Sequence, residues 1–189
     1  MRIAMIVRSF SQNGGLELYA HQLIKGLIDR GHDLTVVCEK NESPIQHKRL
    51  HIAKFYPAPD GTGKAAKLTY YLEASTARVA QEGTFDIIHS QHLPTRAANV
   101  VTFHNHTAAR LAQVGYEWEQ KLTRAKMAFV SAYKLRDQYD RELCRSASSL
   151  IFPSAVCRDD FAQTYDVQSL NPRCNLTVAY PGASLGAVV

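Results

Sequence analysis

The chain has 189 residues, 46% hydrophobic and 21% charged, which suits one globular domain with a full core and excludes disordered, collagen-like and low-complexity classes. Its longest apolar runs are strand-sized, against the roughly 20 residues a membrane helix needs, and the start carries no secretory h-region, so a cytoplasmic protein is expected. The net charge of +5 comes without any Lys/Arg run of four, which reads as a solvated surface with a slight excess of bases and no nucleic-acid footprint.

Residues 2–7 (R-I-A-M-I-V) form a nearly continuous apolar run, as expected of a parallel strand covered on both faces. A polar loop over residues 8–15 follows and ends in Gly14 and Gly15. Leu16, Tyr19, Ala20, Leu23, Ile24, Leu27 and Ile28 then recur at helical spacing, with Arg30 at the negative end of the dipole and Gly31 as the stop. Residues 33–38 are the next strand, completing a β–α–β opening. Further strands are expected at 50–55, 86–90, 99–103, 149–152 and 176–179, and helices at 64–82, 116–145 and 155–165. Alternating strands and helices predict an α/β fold, a Rossmann-like parallel sheet with helices on both faces. Cys38, Cys144, Cys157 and Cys174 contain no C-x-x-C pair, so reduced thiols are expected rather than a zinc or redox motif.

In such sheets ligands sit beyond the carboxyl ends of the strands, which directs attention to the residues after each one. Two glycines directly before a helix permit positive φ and close backbone approach, and the helix start suits a phosphate. The spacing is neither a dinucleotide fingerprint nor a P-loop, and a plain turn accounts for it equally well. At and just past the end of the strand at 86–90 stand His89, Gln91 and His92; after the strand at 99–103 come His104, Asn105 and His106. Four of the eight histidines thus gather at two adjacent strand ends, where they suit hydrogen bonds to a sugar or phosphate. His-x-x-His and His-x-His are also feasible metal spacings, but no carboxylate follows at short range, and no metal is expected. Ser154 is placed to cap the helix at 155–165. The basic stretch from Arg110 to Arg145, with Tyr116, Trp118, Phe129, Tyr133 and Tyr139 interleaved, reads foremost as a salt-bridged helix packing its aromatics inward. Peripheral contact with an anionic membrane is the second reading.

The opening R-I-A-M-I-V…G-G-L-E-L-Y-A-H-Q-L resembles that of family-4 retaining glycosyltransferases. Three further pieces match in order: D-I-I-H-S-Q-H (86–92), V-V-T-F-H-N (100–105) and A-S-S-L-I-F-P-S-A-V-C-R-D-D-F (147–161). The resemblance implies one half of a GT-B architecture, two Rossmann-like domains flanking a cleft. The N-terminal domain mostly holds the acceptor, a glycan or a lipid-linked sugar, and the C-terminal domain mostly holds the nucleotide sugar. It also implies hexose transfer with retention of configuration and without a metal or other cofactor. Gly14 and Gly15 match the loop that approaches the donor diphosphate, and His104 matches the catalytic-site histidine near the transferred sugar. Glu17, His89, His92, Asn105 and His106 are further expected acceptor or cleft contacts.

Family members usually run much longer, with a C-terminal domain carrying a Glu-x₇-Glu donor motif, and no such pair occurs here. The expectation is a Rossmann-like domain over residues 1–180, with 181–189 the start of an interdomain linker or a truncated end. The chain is then the acceptor-binding half, lacking its C-terminal GT-B partner domain and inactive alone. A non-catalytic glycan- or partner-binding module is the alternative, and a metal-dependent hydrolase using the histidines is a third reading.

Overall fold

The computed structural model describes residues 1–91, 95–104, 111 and 115–180. Seven strands make one sheet among these residues: β1 (Arg2–Phe10), β2 (Asp33–Asn41), β3 (Leu50–Lys54), β4 (Ile87–Ser90), β5 (Val100–Thr102), β6 (Ser149–Phe152) and β7 (Asn175–Val178). All neighbours are parallel, in the order β3-β2-β1-β4-β5-β6-β7. The helices are α1 (Gly15–Asp29), α2 (Lys64–Gln81), α3 (Glu117–Phe129), α4 (Ser131–Ser146), α5 (Ala155–Tyr165) and α6 (Val167–Leu170). The expected α/β Rossmann-like sheet is therefore present, and its strand order reverses between β1 and β4.

Alternation along β1 assigns the two faces. Ile3, Met5 and Val7 pack with Ala20, Ile24 and Ile28 of α1, whereas Ile6 packs with Val37, Tyr71 and Val79 on the α2 side. Val101, Phe103, Leu150 and Phe152 meet Leu143 and Cys144 of α4 and Phe161 and Tyr165 of α5. Within that cluster Phe103 and Phe152 stack at 5.7 Å, and Phe161 lies 4.4 Å from Phe103, distances at which aromatic pairs add to simple area burial.

Helix α1 ends as its sequence demands. Gly31 has φ +85°; its N–H bonds to Ile28 O at 2.9 Å, and that of His32 bonds to Leu27 O at 3.2 Å, the paired bonds of a Schellman close. Arg30 Nη1 donates to Gly26 O at 3.2 Å. At α5, Ser154 Oγ accepts from the Cys157 N–H at 3.2 Å, the cap expected of it.

Two expectations are corrected, and one helix is added. Strand β1 runs on to Phe10 instead of yielding to a loop at Arg8, because Ser9 and Phe10 pair with Lys40 and Asn41 and the Phe10 ring is fully buried. The single helix at 116–145 is two, parted at Val130 with φ −101° and ψ 113°. Helix α4 buries Tyr139, Leu143 and Cys144 while α3 buries no residue, so one straight rod would not serve both. Helix α6 was not expected; its four residues are too few to show a period. The cysteines are free, with burial raising Cys38 to about 11 and Cys144 to about 12, so these two stay thiols at neutral pH.

Candidate functional site

The reversal of strand order between β1 and β4 opens a crevice at their carboxyl ends, and three segments converge there. The first is the turn after β1. Ser11 is buried, and its Oγ accepts from the Asn13 N–H at 3.3 Å. Gly14 has φ +112°, a backbone that side chains rarely adopt. A Cβ on Gly14 would also run into the Glu17 carboxylate. Gly15 opens the helix with free space where a Cβ would be. Of the two glycines, only Gly14 needs to be one for its backbone. The first helical bond is Leu18 N–H to Gly14 O at 2.9 Å, and no side chain caps the end. The N–H groups of Gly15, Leu16 and Glu17 are therefore left without intrahelical acceptors at the positive end of the dipole. Glu17, in that first turn, competes with any anion drawn to them and must turn aside to admit one.

The second and third segments are the ends of β4 and β5. Strand alternation sends His89 and Gln91, with Thr102 and His104, to the α1 side. His89 Nε2 lies 2.7 Å from Thr102 Oγ1. His104 Nε2 lies 2.6 Å from Gln91 Oε1, and Gln91 Nε2 reaches His89 Nε2 at 3.4 Å and Met5 Sδ at 3.5 Å. An amide offers one acceptor and one donor end. In this orientation His104 Nε2–H donates to Gln91, and Gln91 donates to His89. Tyr19 of α1 meets the His104 ring edge-on at 5.1 Å; burial raises its phenol pKa, and a hydrogen bond to Thr102 partly offsets this.

Burial, and then the neighbouring His104, hold His89 down to about 4, so its imidazole is neutral at pH 7. With 6% of its surface exposed, His89 lies within the network and His104, half-buried, lies nearer its edge. His92, Asn105 and His106 lie outside the described residues. Among the described residues no three histidine, cysteine or carboxylate side chains group as metal ligands would. Thr102 and Tyr19 escaped the sequence reading, and Gln91 was placed at the strand end without a role. The signal was the i, i+2 alternation that aligns Gln91 with His89 and His104 with Thr102.

The aromatic residues around α3 do not all pack inward as expected. Tyr116, Trp118 and Phe129 are 73%, 64% and 87% exposed, because α3 leans on α4 and does not lie on the sheet. Tyr139 is buried, as that reading required. No helix among the described residues is long and apolar enough to cross a membrane.

Residues 13–185 match the family described as Glycosyltransferase Family 4. No curated protein matches the chain. Among solved structures it is similar to WaaG, a glycosyltransferase involved in lipopolysaccharide biosynthesis, with TM-score 0.66 and 14% identity over 92% of this chain and 44% of that one. A sucrose-phosphate synthase from Thermosynechococcus elongatus gives TM-score 0.61 and 17% identity, covering 96% of this chain and 48% of the other. Phytolacca americana UGT2, complexed with UDP-2fluoro-glucose and pterostilbene, gives TM-score 0.55 and 11% identity, covering 100% and 54%. The chain thus spans about half the length of these proteins, and the likeness is one of fold.

Proposed function

Because the chain belongs to glycosyltransferase family 4, we propose that it supplies the acceptor-binding half of a GT-B enzyme. That enzyme moves a hexose from a nucleotide-diphosphate sugar to a glycan or lipid-linked acceptor, with retention and without a metal. The observation that carries this reading is the convergence of an uncapped helix start behind Gly14 with the Gln91-held ring of His104 at the switch point of the sheet. The first offers N–H groups and a partial positive charge to a diphosphate. The second offers a ring fixed by Gln91 and Tyr19, whose hydrogen bonds to the reacting sugar need no reorganisation when the glycosidic bond breaks.

The opposite wall of the cleft, in a C-terminal domain, completes the donor site in this reading. On that reading residues 1–180 are one Rossmann-like domain, and the 189 residues alone do not transfer sugar. The enzyme works on the cytoplasmic side, where the exposed Trp118, Leu122 and Phe129 of α3, beside Lys121, Arg124 and Lys126, suit contact with an anionic leaflet.

The test is His104→Ala in an enzyme that joins these residues to a C-terminal GT-B domain. A kcat loss of about 10²–10³, as for removal of one fixed transition-state donor, is expected in a variant that keeps its far-ultraviolet spectrum, with a lowered melting temperature because the buried Gln91 Oε1 loses this partner. Unchanged kcat would remove His104 from the reaction.

A further inference from the structure

Five side chains on the α1 face of the crevice join into one chain of hydrogen bonds. Tyr19 of α1 bonds to Thr102, and Thr102 Oγ1 lies 2.7 Å from His89 Nε2. Gln91 Nε2 lies 3.4 Å from the same nitrogen, and Gln91 Oε1 lies 2.6 Å from His104 Nε2. The Tyr19 ring then meets the His104 ring edge-on at 5.1 Å, which closes the circuit. His89, Gln91 and Thr102 are buried, so the middle of the chain must satisfy its own donors and acceptors.

Two directions are self-consistent, because a hydroxyl has one proton and a neutral imidazole has one N–H and one lone pair. In the first, Thr102 donates to His89 Nε2 and His89 carries its proton on Nδ1. The Gln91 amide N–H then faces that same nitrogen, and its carbonyl accepts from His104 Nε2–H. In the second, His89 Nε2–H donates to Thr102 and the Gln91 amide is reversed. Its N–H then donates to His104 Nε2, and His104 carries its proton on Nδ1.

Two groups choose the first direction. A phenol ordinarily titrates at about 10, which makes it a better donor and a poorer acceptor than an aliphatic hydroxyl. Burial raises the Tyr19 phenol further, so it keeps its proton, donates to Thr102 and leaves the Thr102 proton for His89. The second group is Met5, whose Sδ lies 3.5 Å from Gln91 Nε2. A thioether only accepts, so it holds the amide N–H end on its own side and the carbonyl toward His104. Bonds aligned in one direction polarise one another. Tyr19 also stands one turn past Gly15, the first residue of α1, so the helix start and the histidine share this tie.

We propose that Tyr19 is a positioning residue that acts through Thr102, His89 and Gln91 to hold His104 in one tautomer, with its proton on Nε2 and its lone pair on Nδ1. The proposal rests on the reading of His104 as the residue beside the transferred sugar, and it assigns contact with a sugar hydroxyl to Nδ1. The two histidines of one site are then opposite tautomers, His89 with Nδ1–H and His104 with Nε2–H.

Nitrogen-15 spectra of the labelled 189-residue chain test this at about pH 8, above the ordinary imidazole range. His104 should show a protonated Nε2 and a bare Nδ1, and His89 the reverse. Tyr19→Phe keeps the ring and removes only the hydroxyl. It should lower the tautomer ratio of both histidines about fivefold, the size of one net hydrogen bond, with an unchanged far-ultraviolet spectrum. Thr102→Val should act in the same direction and serves if Tyr19→Phe fails to fold, whereas Thr102→Ser, which keeps a hydroxyl, should leave the ratio as it was. One tautomer shared by both rings, or His104 with its proton on Nδ1, overturns the proposal. Ring-nitrogen signals of folded Tyr19→Phe that coincide with those of the parent overturn it as well. No sugar transfer is read in these spectra, so a failure of the transferase reading leaves the tautomers as measured. The wrong tautomer, beside a kcat lost in His104→Ala of a two-domain enzyme, removes the role of Tyr19 alone.

Discussion

His104 Nε2 donates to Gln91 Oε1 at 2.6 Å, tying the end of β5 to the end of β4 through a side chain that is itself 3% exposed. Gln91 also faces His89, so it links the buried histidine to the one nearer the site. Gln91→Leu leaves ring nitrogens of both without this partner. His89 keeps Thr102, so the change removes two hydrogen bonds, about 0.5–1.5 kcal/mol net each, and urea denaturation should show a loss of about 1–3 kcal/mol in all. A loss below about 0.5 kcal/mol, the usual range for a surface change, would mean the link carries no stability.

The depressed pKa of His89 makes stability depend on pH. In the unfolded chain the imidazole titrates near 6.5, while in the fold it stays neutral down to about 4. Between these values the unfolded state binds more protons, so stability is lost as pH falls from about 6.5 to about 4, by an amount of order 3 kcal/mol. Below about 4 both states are protonated and this contribution is flat. His89→Gln should lack this slope while other groups, His21 among them, keep theirs. Parallel pH profiles for the two proteins would contradict the assignment.

Residues Gly14 and Gly15 should part company under substitution. Gly14→Ala places a Cβ on a backbone at φ +112° and should cost about 1–3 kcal/mol. Gly15→Val points into open space and should leave stability unchanged or raise it slightly, since glycine is the poorer helix former of the two. In a two-domain enzyme Gly15→Val should still lower kcat/KM by crowding the donor diphosphate. Normal kcat/KM with Gly15→Val would reduce the loop to a turn.

The α3 surface gives a test that needs no second domain. Sedimentation with vesicles should show binding that requires anionic lipid and weakens with salt, because the Debye length shrinks to roughly 8 Å at physiological ionic strength. Phe129→Ser, which alters a ring 87% exposed, should reduce that binding without lowering the melting temperature. Equal sedimentation with neutral and anionic vesicles would remove the membrane contact.

Most of the sheet was legible because its strands are apolar runs whose length and spacing leave few other assignments. β6 and α5 fall at the residues expected, bounded by Ser149 and by the Ser154 cap. The break at Val130 was not legible, since neither glycine nor proline marks it and both flanking segments keep helical spacing. What parts them is tertiary: α4 buries Tyr139, Leu143 and Cys144 in the core, whereas α3 fully buries no residue and reaches the core only with the partly buried Met127. The site was legible to the level of strand ends, which put Gly14, His89 and His104 near one another. The bond between Gln91 and His104 was not, because register between β4 and β5 is a property of the sheet.

In the proposed function these residues hold one wall of a two-walled cleft, and calorimetric titration of the 189-residue chain with UDP-glucose and GDP-mannose measures what that wall alone can bind. With only Gly14, the α1 start and His104 to engage the donor, and water in place of the opposite wall, each hydrogen bond contributes only about 1 kcal/mol net. The expected Kd is about 1 mM or weaker, near −4 kcal/mol, with no sugar transfer. Binding at about 1 μM, near −8 kcal/mol, or transfer of labelled sugar by this chain alone would contradict it.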